Sequence, residues 1–109
     1  MVKGRQATYR LWVETEIHTE RESLPGNIRQ RIKRALDDLG KDPCPTASKI
    51  LDTSDLKLPH GIEIRRLRME NWRILYAVHE DEGWVWALGI YRRPPYAYEN
   101  LEKLISKLQ

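Results

Sequence analysis

The stretch Ile64-Arg65-Arg66-Leu67-Arg68-Met69-Glu70-Asn71-Trp72-Arg73-Ile74-Leu75-Tyr76-Ala77-Val78 decides the fold of this 109-residue chain. Arginines alternate with apolar residues, Met69-Glu70-Asn71 interrupts them, and an apolar run follows. Alternation marks a strand with one buried face. A short polar break between two such runs marks an antiparallel turn. Arg65, Arg66, Arg68 and Arg73 stand here against the single acid Glu70. Arginine in a sheet is unfavourable unless it meets water or a ligand. Phosphate suits it, because the planar guanidinium bonds two oxygens at once. The pattern therefore predicts a polyanion-facing surface. It resumes at Tyr91-Arg92-Arg93 and closes on Tyr98.

Working outward, residues 84–91 form a third strand after the turn Glu80-Asp81-Glu82-Gly83, where Gly83 can supply a positive φ. Trp84, Trp86, Leu88 and Ile90 fall on one face by alternation, and Val85, Ala87 and Gly89 on the other. Both faces are apolar, which predicts a central position. With residues 62–68 and 72–78 this makes an antiparallel meander. Upstream, residues 41–61 form a long connection containing Pro43, Pro45 and Pro59. Such connections are often functional, and this one has room for a short strand around residues 48–51.

Leu24, Ile28, Ile32, Ala35, Leu36 and Leu39 recur at helical spacing and predict a helix over 25–39. Pro25 suits its first turn, Gly40 its end, and Pro43 bars continuation. Residues 7–13 alternate as a first strand, with Tyr9, Leu11 and Val13 opposite Thr8, Arg10 and Trp12. Residues 14–23, with little apolar content beyond Ile17, read as a short solvated helix. Leu101, Leu104, Ile105 and Leu108 predict a closing helix over 100–108.

The mass of 12.9 kDa fits one domain, residues 1–109, and 40% apolar residues suffice for a modest core. A net charge of +3 and a pI near 9.1 fit a nucleic-acid partner without demanding one. Cys44 has no second cysteine to pair with, as in reducing cytosol. No signal peptide is legible, and no apolar run approaches the roughly 20 residues that span a bilayer. The expectation is a cytoplasmic protein. Cys44, His18, His60 and His79 lack metal-ligand spacing. No glycine-rich phosphate loop is present, so no cofactor is expected.

The order strand, helix, helix, three strands, helix resembles the RelE/ParE toxin superfamily of bacterial toxin–antitoxin systems. The resemblance covers nearly the whole chain. It includes Tyr9-Arg10-Leu11-Trp12-Val13, the Leu24-Pro25 break, residues 36–39, Asp42-Pro43 and Lys49-Ile50-Leu51. Its most specific part is Arg66-Leu67-Arg68 followed by Trp72-Arg73-Ile74-Leu75-Tyr76-Ala77-Val78. It implies an α+β domain, β-α-α-β-β-β-α, with an antiparallel sheet and helices on one face: the RelE-like microbial RNase fold.

The resemblance also implies a toxin of a type II system. RelE-like members cut mRNA in the ribosomal A site without metal, whereas ParE-like members poison DNA gyrase. Arg73, Arg92 and Tyr98 look like the catalytic arginines and tyrosine of RelE, with Arg66, Arg68 and Arg93 as substrate contacts. Implied partners are a cognate antitoxin, the ribosome and mRNA. Free of antitoxin, a monomer is expected. In cleavage of this kind the ribose 2′-oxygen attacks the adjacent phosphorus and the 5′-oxygen leaves. Cationic donors stabilise the phosphorane, and a base and an acid move the protons. Arginine, with a pKa above about 12, serves as an electrostatic clamp.

Several readings stay open at this point. Arg73 is either a phosphate contact or a strand arginine partnered by Glu63 or Glu70. Arg92 and Arg93 are either site residues or a solvated strand end before Pro94-Pro95. Tyr96 and Tyr98 both fit the terminal tyrosine. Trp72, Trp84 and Trp86 read as core rather than stacking platforms. The lysines of RelE sites are unmatched, with Ile64 and Arg66 in their places. Glu63 is a possible counterpart of the glutamate some relatives use, and no histidine lies beside Tyr98. A gyrase inhibitor, or an inactive member acting by partner binding alone, is the alternative to a nuclease.

Overall fold

The computed structural model describes residues 9–53 and 58–92, with Arg92 described through its backbone. The elements are β1 (Arg10–Val13), α1 (Thr15–Glu22), α2 (Gly26–Leu39), β2 (Ser48–Ile50), β3 (Ile62–Met69), β4 (Trp72–His79) and β5 (Trp84–Arg92). The strands form one sheet in the order β1-β5-β4-β3-β2. β1 runs parallel to β5, and the other neighbours are antiparallel. The meander and the short strand in the long connection follow the pattern of the sequence. Residues 7 and 8 of the expected first strand, and the expected helix at 100–108, lie outside the described residues.

α2 forms because its apolar stripe has a sheet to cover. Ile32, Leu36 and Leu39 are buried, and Ile28 and Ala35 pack at the margin. Gly40 ends the helix with φ of −69°, so left-handed geometry is not what requires glycine there. Space does not require it either: a Cβ at Gly40 would make ordinary contacts, 3.5 Å from the Tyr9 carbonyl oxygen and 3.7 Å from the Leu11 Cβ. The Tyr9 amide donates to the Gly40 carbonyl at 2.7 Å, which ties the start of β1 to the end of α2. α1 is largely solvated, and its one deep contact is the fully buried Ile17.

The sheet is apolar on both faces. Under α1 and α2 lie Leu67, Ile74, Tyr76, Val78, Val85, Ala87 and Ile90, joined by Tyr9 and the helical residues. On the far face Ile64, Leu75, Ala77 and Leu88 form a second cluster, ringed by Leu51, Leu58, Ile62, Trp84, Trp86 and Tyr91. β4 is buried from Arg73 through Val78 and is the middle strand. Apolar faces led to the central place being expected for β5. That strand is flanked on both sides but lies one position off centre.

The alternation expected along β5 breaks at a bulge. Leu75 pairs with Gly89 and Tyr76 with Ala87, so Leu88 is an extra residue. One extra residue inverts the phase of everything after it. Ile90 therefore joins Val85 and Ala87 beneath the helices, while Tyr91 joins Trp84, Trp86 and Leu88.

Candidate functional site

Alternation on β3 separates its arginines. Leu67 and Met69 pack towards the helices and Ile62 and Ile64 towards the far face, which places Arg65 with the former and Arg66 and Arg68 with the latter. Arg68 is paired directly with Arg73, and Arg66 with Leu75. The far face thus carries Arg66, Arg68 and Arg73 at one end. Like charges directly opposite each other in a sheet are unfavourable. Such a pair concentrates positive potential where an anion would be welcome. Arg68 is exposed. Arg66 is half-buried, and its Nε is buried with no hydrogen-bond partner among the described residues.

Arg73 is more deeply placed, at 6% exposure. Its Nη1 donates to the Glu70 carbonyl at 3.1 Å and to the Trp72 carbonyl at 3.0 Å. Glu70 sits at φ of 54°, an uncommon conformation for a residue with a side chain. The guanidinium therefore holds the β3–β4 turn. Both acids weighed as partners of Arg73 are engaged elsewhere by their carboxylates. Glu70 meets Arg31 at 2.7 Å, and Glu63 meets Arg65 at 3.0 Å.

The bulge also decides what accompanies Arg73. Its cross-strand partner is Tyr91, and Arg92 is paired with Trp72. Tyr91 was absent from the expected site, because counting by two through Leu88 puts it on the wrong face. The signal was Gly89, since a glycine inside a strand often marks a bulge. A Cβ at Gly89 would lie 2.7 Å from the Tyr91 hydroxyl, so the phenol ring lies over that glycine. Tyr91 lines a cleft of about 530 Å³ with Thr15, Glu16, Thr19, Glu20, Leu88 and Gly89. Burial, then the Glu20 charge, push the Tyr91 phenol up from its ordinary value of 10.0. Burial and neighbouring Glu16 likewise raise the Glu20 carboxyl. Arg93, Tyr96 and Tyr98 lie outside the described residues, as does the Arg92 side chain.

Arg65 has a structural task on the helix side. Its Nε donates to Ser48 Oγ at 2.9 Å, Ser48 Oγ meets Tyr76 Oη at 2.5 Å, and Tyr76 Oη donates to the Pro43 carbonyl at 2.6 Å. Because Tyr76 gives its proton to Pro43, Ser48 must donate to Tyr76. The chain runs one way, from guanidinium to carbonyl, and pins the proline-rich connection onto the sheet. Among the described residues, no group of three or more His, Cys, Asp or Glu side chains could hold a metal ion.

Two N-terminal helices and a five-stranded, mostly antiparallel sheet make this a RelE-like fold. The chain superposes on RelE of the Pyrococcus horikoshii OT3 RelE–RelB complex with a TM-score of 0.68, at 21% identity over 82% of this chain and 99% of that one. It superposes on a chain of the RelBE2 toxin–antitoxin complex of Mycobacterium tuberculosis with a TM-score of 0.61, at 21% identity over 82% and 95%. The isolated Escherichia coli RelE toxin matches at 0.53, with 18% identity over 93% and 99%. No protein-family model and no curated protein matches the sequence. The domain has a RelE-like fold, and likeness at this identity speaks to fold alone.

Proposed function

We propose that this chain is the toxin of a type II toxin–antitoxin pair, a ribosome-dependent endoribonuclease that cuts mRNA and halts translation. The observation that carries this reading is the row Arg66, Arg68 and Arg73 on the sheet face turned away from α2, within a RelE-like fold. In the reaction, Arg68 and Arg66 hold the phosphate and stabilise the charge of the phosphorane. Arg73 fixes the turn beside them and adds to the field. Removing one donor of this kind typically costs about 10²–10³ in rate. Arg93 and Tyr98 complete the proposed set, whereas Arg92, paired with Trp72, falls in the register phase of Ile90 rather than that of Arg73. The solved relatives in complexes are toxin–antitoxin pairs, and we extend that to this chain. Its partners are then a cognate antitoxin, mRNA and the ribosome in the cytoplasm, and without antitoxin it is monomeric.

Two observations favour the second reading, a ParE-like gyrase inhibitor or a member that only binds. Arg73 is buried with Nη1 engaged by the turn, and Arg92 is out of register with it. Induced expression with two readouts separates the readings: mRNA ends mapped to codon positions, and gyrase–DNA complexes. The nuclease reading expects cleavage inside codons, abolished by Arg68→Glu and unaffected by Arg34→Glu on the solvated face of α2. Growth arrest with trapped gyrase and intact mRNA would replace it.

A further inference from the structure

The far face ends, beside β1, in an aromatic trough that the nuclease reading does not use. Trp12 on β1 is opposite Trp86 on β5, and Arg10 is opposite Trp84. Together with Glu82 these residues line a hollow of about 310 Å³. Trp12 is 49% exposed, unusual for so large an apolar side chain. Trp84 and Trp86 meet edge to face, with centroids 6.5 Å apart.

The indole N–H groups of this pair are already satisfied. Trp84 Nε1 donates to Glu82 Oε1 at 3.1 Å, and Trp86 Nε1 donates to Glu14 Oε2 at 2.8 Å. What remains to an incoming group is π surface, with the Glu82 carboxylate at the rim. Aromatic faces attract cations, and that carboxylate favours a cation over an anion. The trough already shows what it accepts. The Arg10 guanidinium lies 5.4 Å from the Trp12 ring centroid, and its Nη2 donates to the Glu82 carbonyl at 3.3 Å.

We propose that this trough is a docking site for a basic side chain, arginine above all, carried on an apolar segment of a partner protein. The volume is near the lower limit of small-molecule sites, about 300 Å³, and suits one side chain better than a nucleotide. The Glu82 carboxylate at the rim disfavours a phosphodiester. The partner's guanidinium displaces Arg10 or stacks beside it, and its apolar neighbours cover Trp12. Interface hot spots are built this way, from tryptophan and arginine in a desolvated pocket. This surface is independent of the nuclease reading and stands or falls separately.

The test uses the ¹⁵N-labelled full chain and the indole N–H signals of its tryptophans. Trp72 packs on the helix side and serves as the internal control. The probe is a blocked peptide alternating leucine and arginine. Its comparators replace arginine with glutamate, or are an oligouridylate. The arginine peptide should shift the signals of Trp12, Trp84 and Trp86 and leave Trp72 in place. Trp12→Ala should weaken binding about tenfold, with an unchanged circular dichroism spectrum because the side chain is exposed. Arg10→Ala, which removes the resident cation, should strengthen it. Glu82→Gln keeps an acceptor for Trp84, and should weaken binding several-fold and flatten its salt dependence. The proposal fails if the three signals stay still at millimolar peptide, or move as much with glutamate peptide or RNA. It also fails if Arg10→Ala weakens binding, or if the signals shift with protein concentration alone, which would make the occupant a second copy.

Discussion

At the scale of single residues, the arginines that look alike in sequence do three different jobs. Arg65 anchors a loop through Ser48 and Tyr76, Arg73 holds a turn, and Arg68 is exposed on the candidate site. Their variants should differ accordingly. Arg73→Ala should lower stability by about 1–3 kcal/mol, because the part-buried turn contacts to Glu70 and Trp72 lose their charged donor; urea denaturation measures it. Arg68→Ala should leave stability within about 0.5 kcal/mol, as for an ordinary surface position. Tyr76 supplies a pH dependence. Burial raises its phenol above 10.0, although Ser48 and Arg65 pull the other way, and Tyr91 is raised as well. A raised folded pKa means stability is complete below the unfolded value and is lost as pH rises through the folded one. The fold should therefore weaken above a pH of about 10. Tyr76→Phe should make that loss shallower, while costing about 1–3 kcal/mol at neutral pH through the orphaned Pro43 carbonyl.

At the scale of elements, the sequence was legible wherever one period ran undisturbed. α2 shows its stripe plainly, and Ile32→Ala should cost about 2–5 kcal/mol, read from denaturant melts, because that side chain is fully buried. The meander was legible because β3 alternates and the turns are short. β5 was legible as a strand but not in its second half, since the bulge at Leu88 is a property of pairing with β4 rather than of local pattern. That single residue moved Ile90 from one face to the other and put Tyr91 opposite Arg73. Among the site residues, the company of Arg66, Arg68 and Arg73 could be read from alternation. The depth of Arg73 could not, because it depends on where the turn carbonyls of Glu70 and Trp72 point. Gly89→Ala tests the bulge directly. A Cβ there meets the far end of the Tyr91 ring, which must swing aside. The outcome should be a Tyr91 pKa closer to 10, seen by ultraviolet titration, with the fold retained.

At the scale of the whole molecule, the sheet joins the two ends of the described chain. β1 lies at one edge, parallel to β5, with Arg10 beside Trp84. Tyr9 reinforces the join, with its hydroxyl donating to the Glu80 carboxylate and its amide to Gly40. The β3–β4–β5 meander needs only neighbouring segments, whereas β1 must wait for a strand 84 − 10 = 74 positions away. Contacts of long sequence separation form slowly, because chain entropy is lost before they repay it. Assembly should thus run from the meander outward, with β1 arriving last. Val13→Ala should then speed unfolding and leave the refolding rate nearly unchanged, as stopped-flow chevrons would show. Until that last step the edge of β5 is open and its backbone groups are a template for any extended segment nearby. A newly made chain therefore passes through an interval in which another strand can compete for the place reserved for its own beginning.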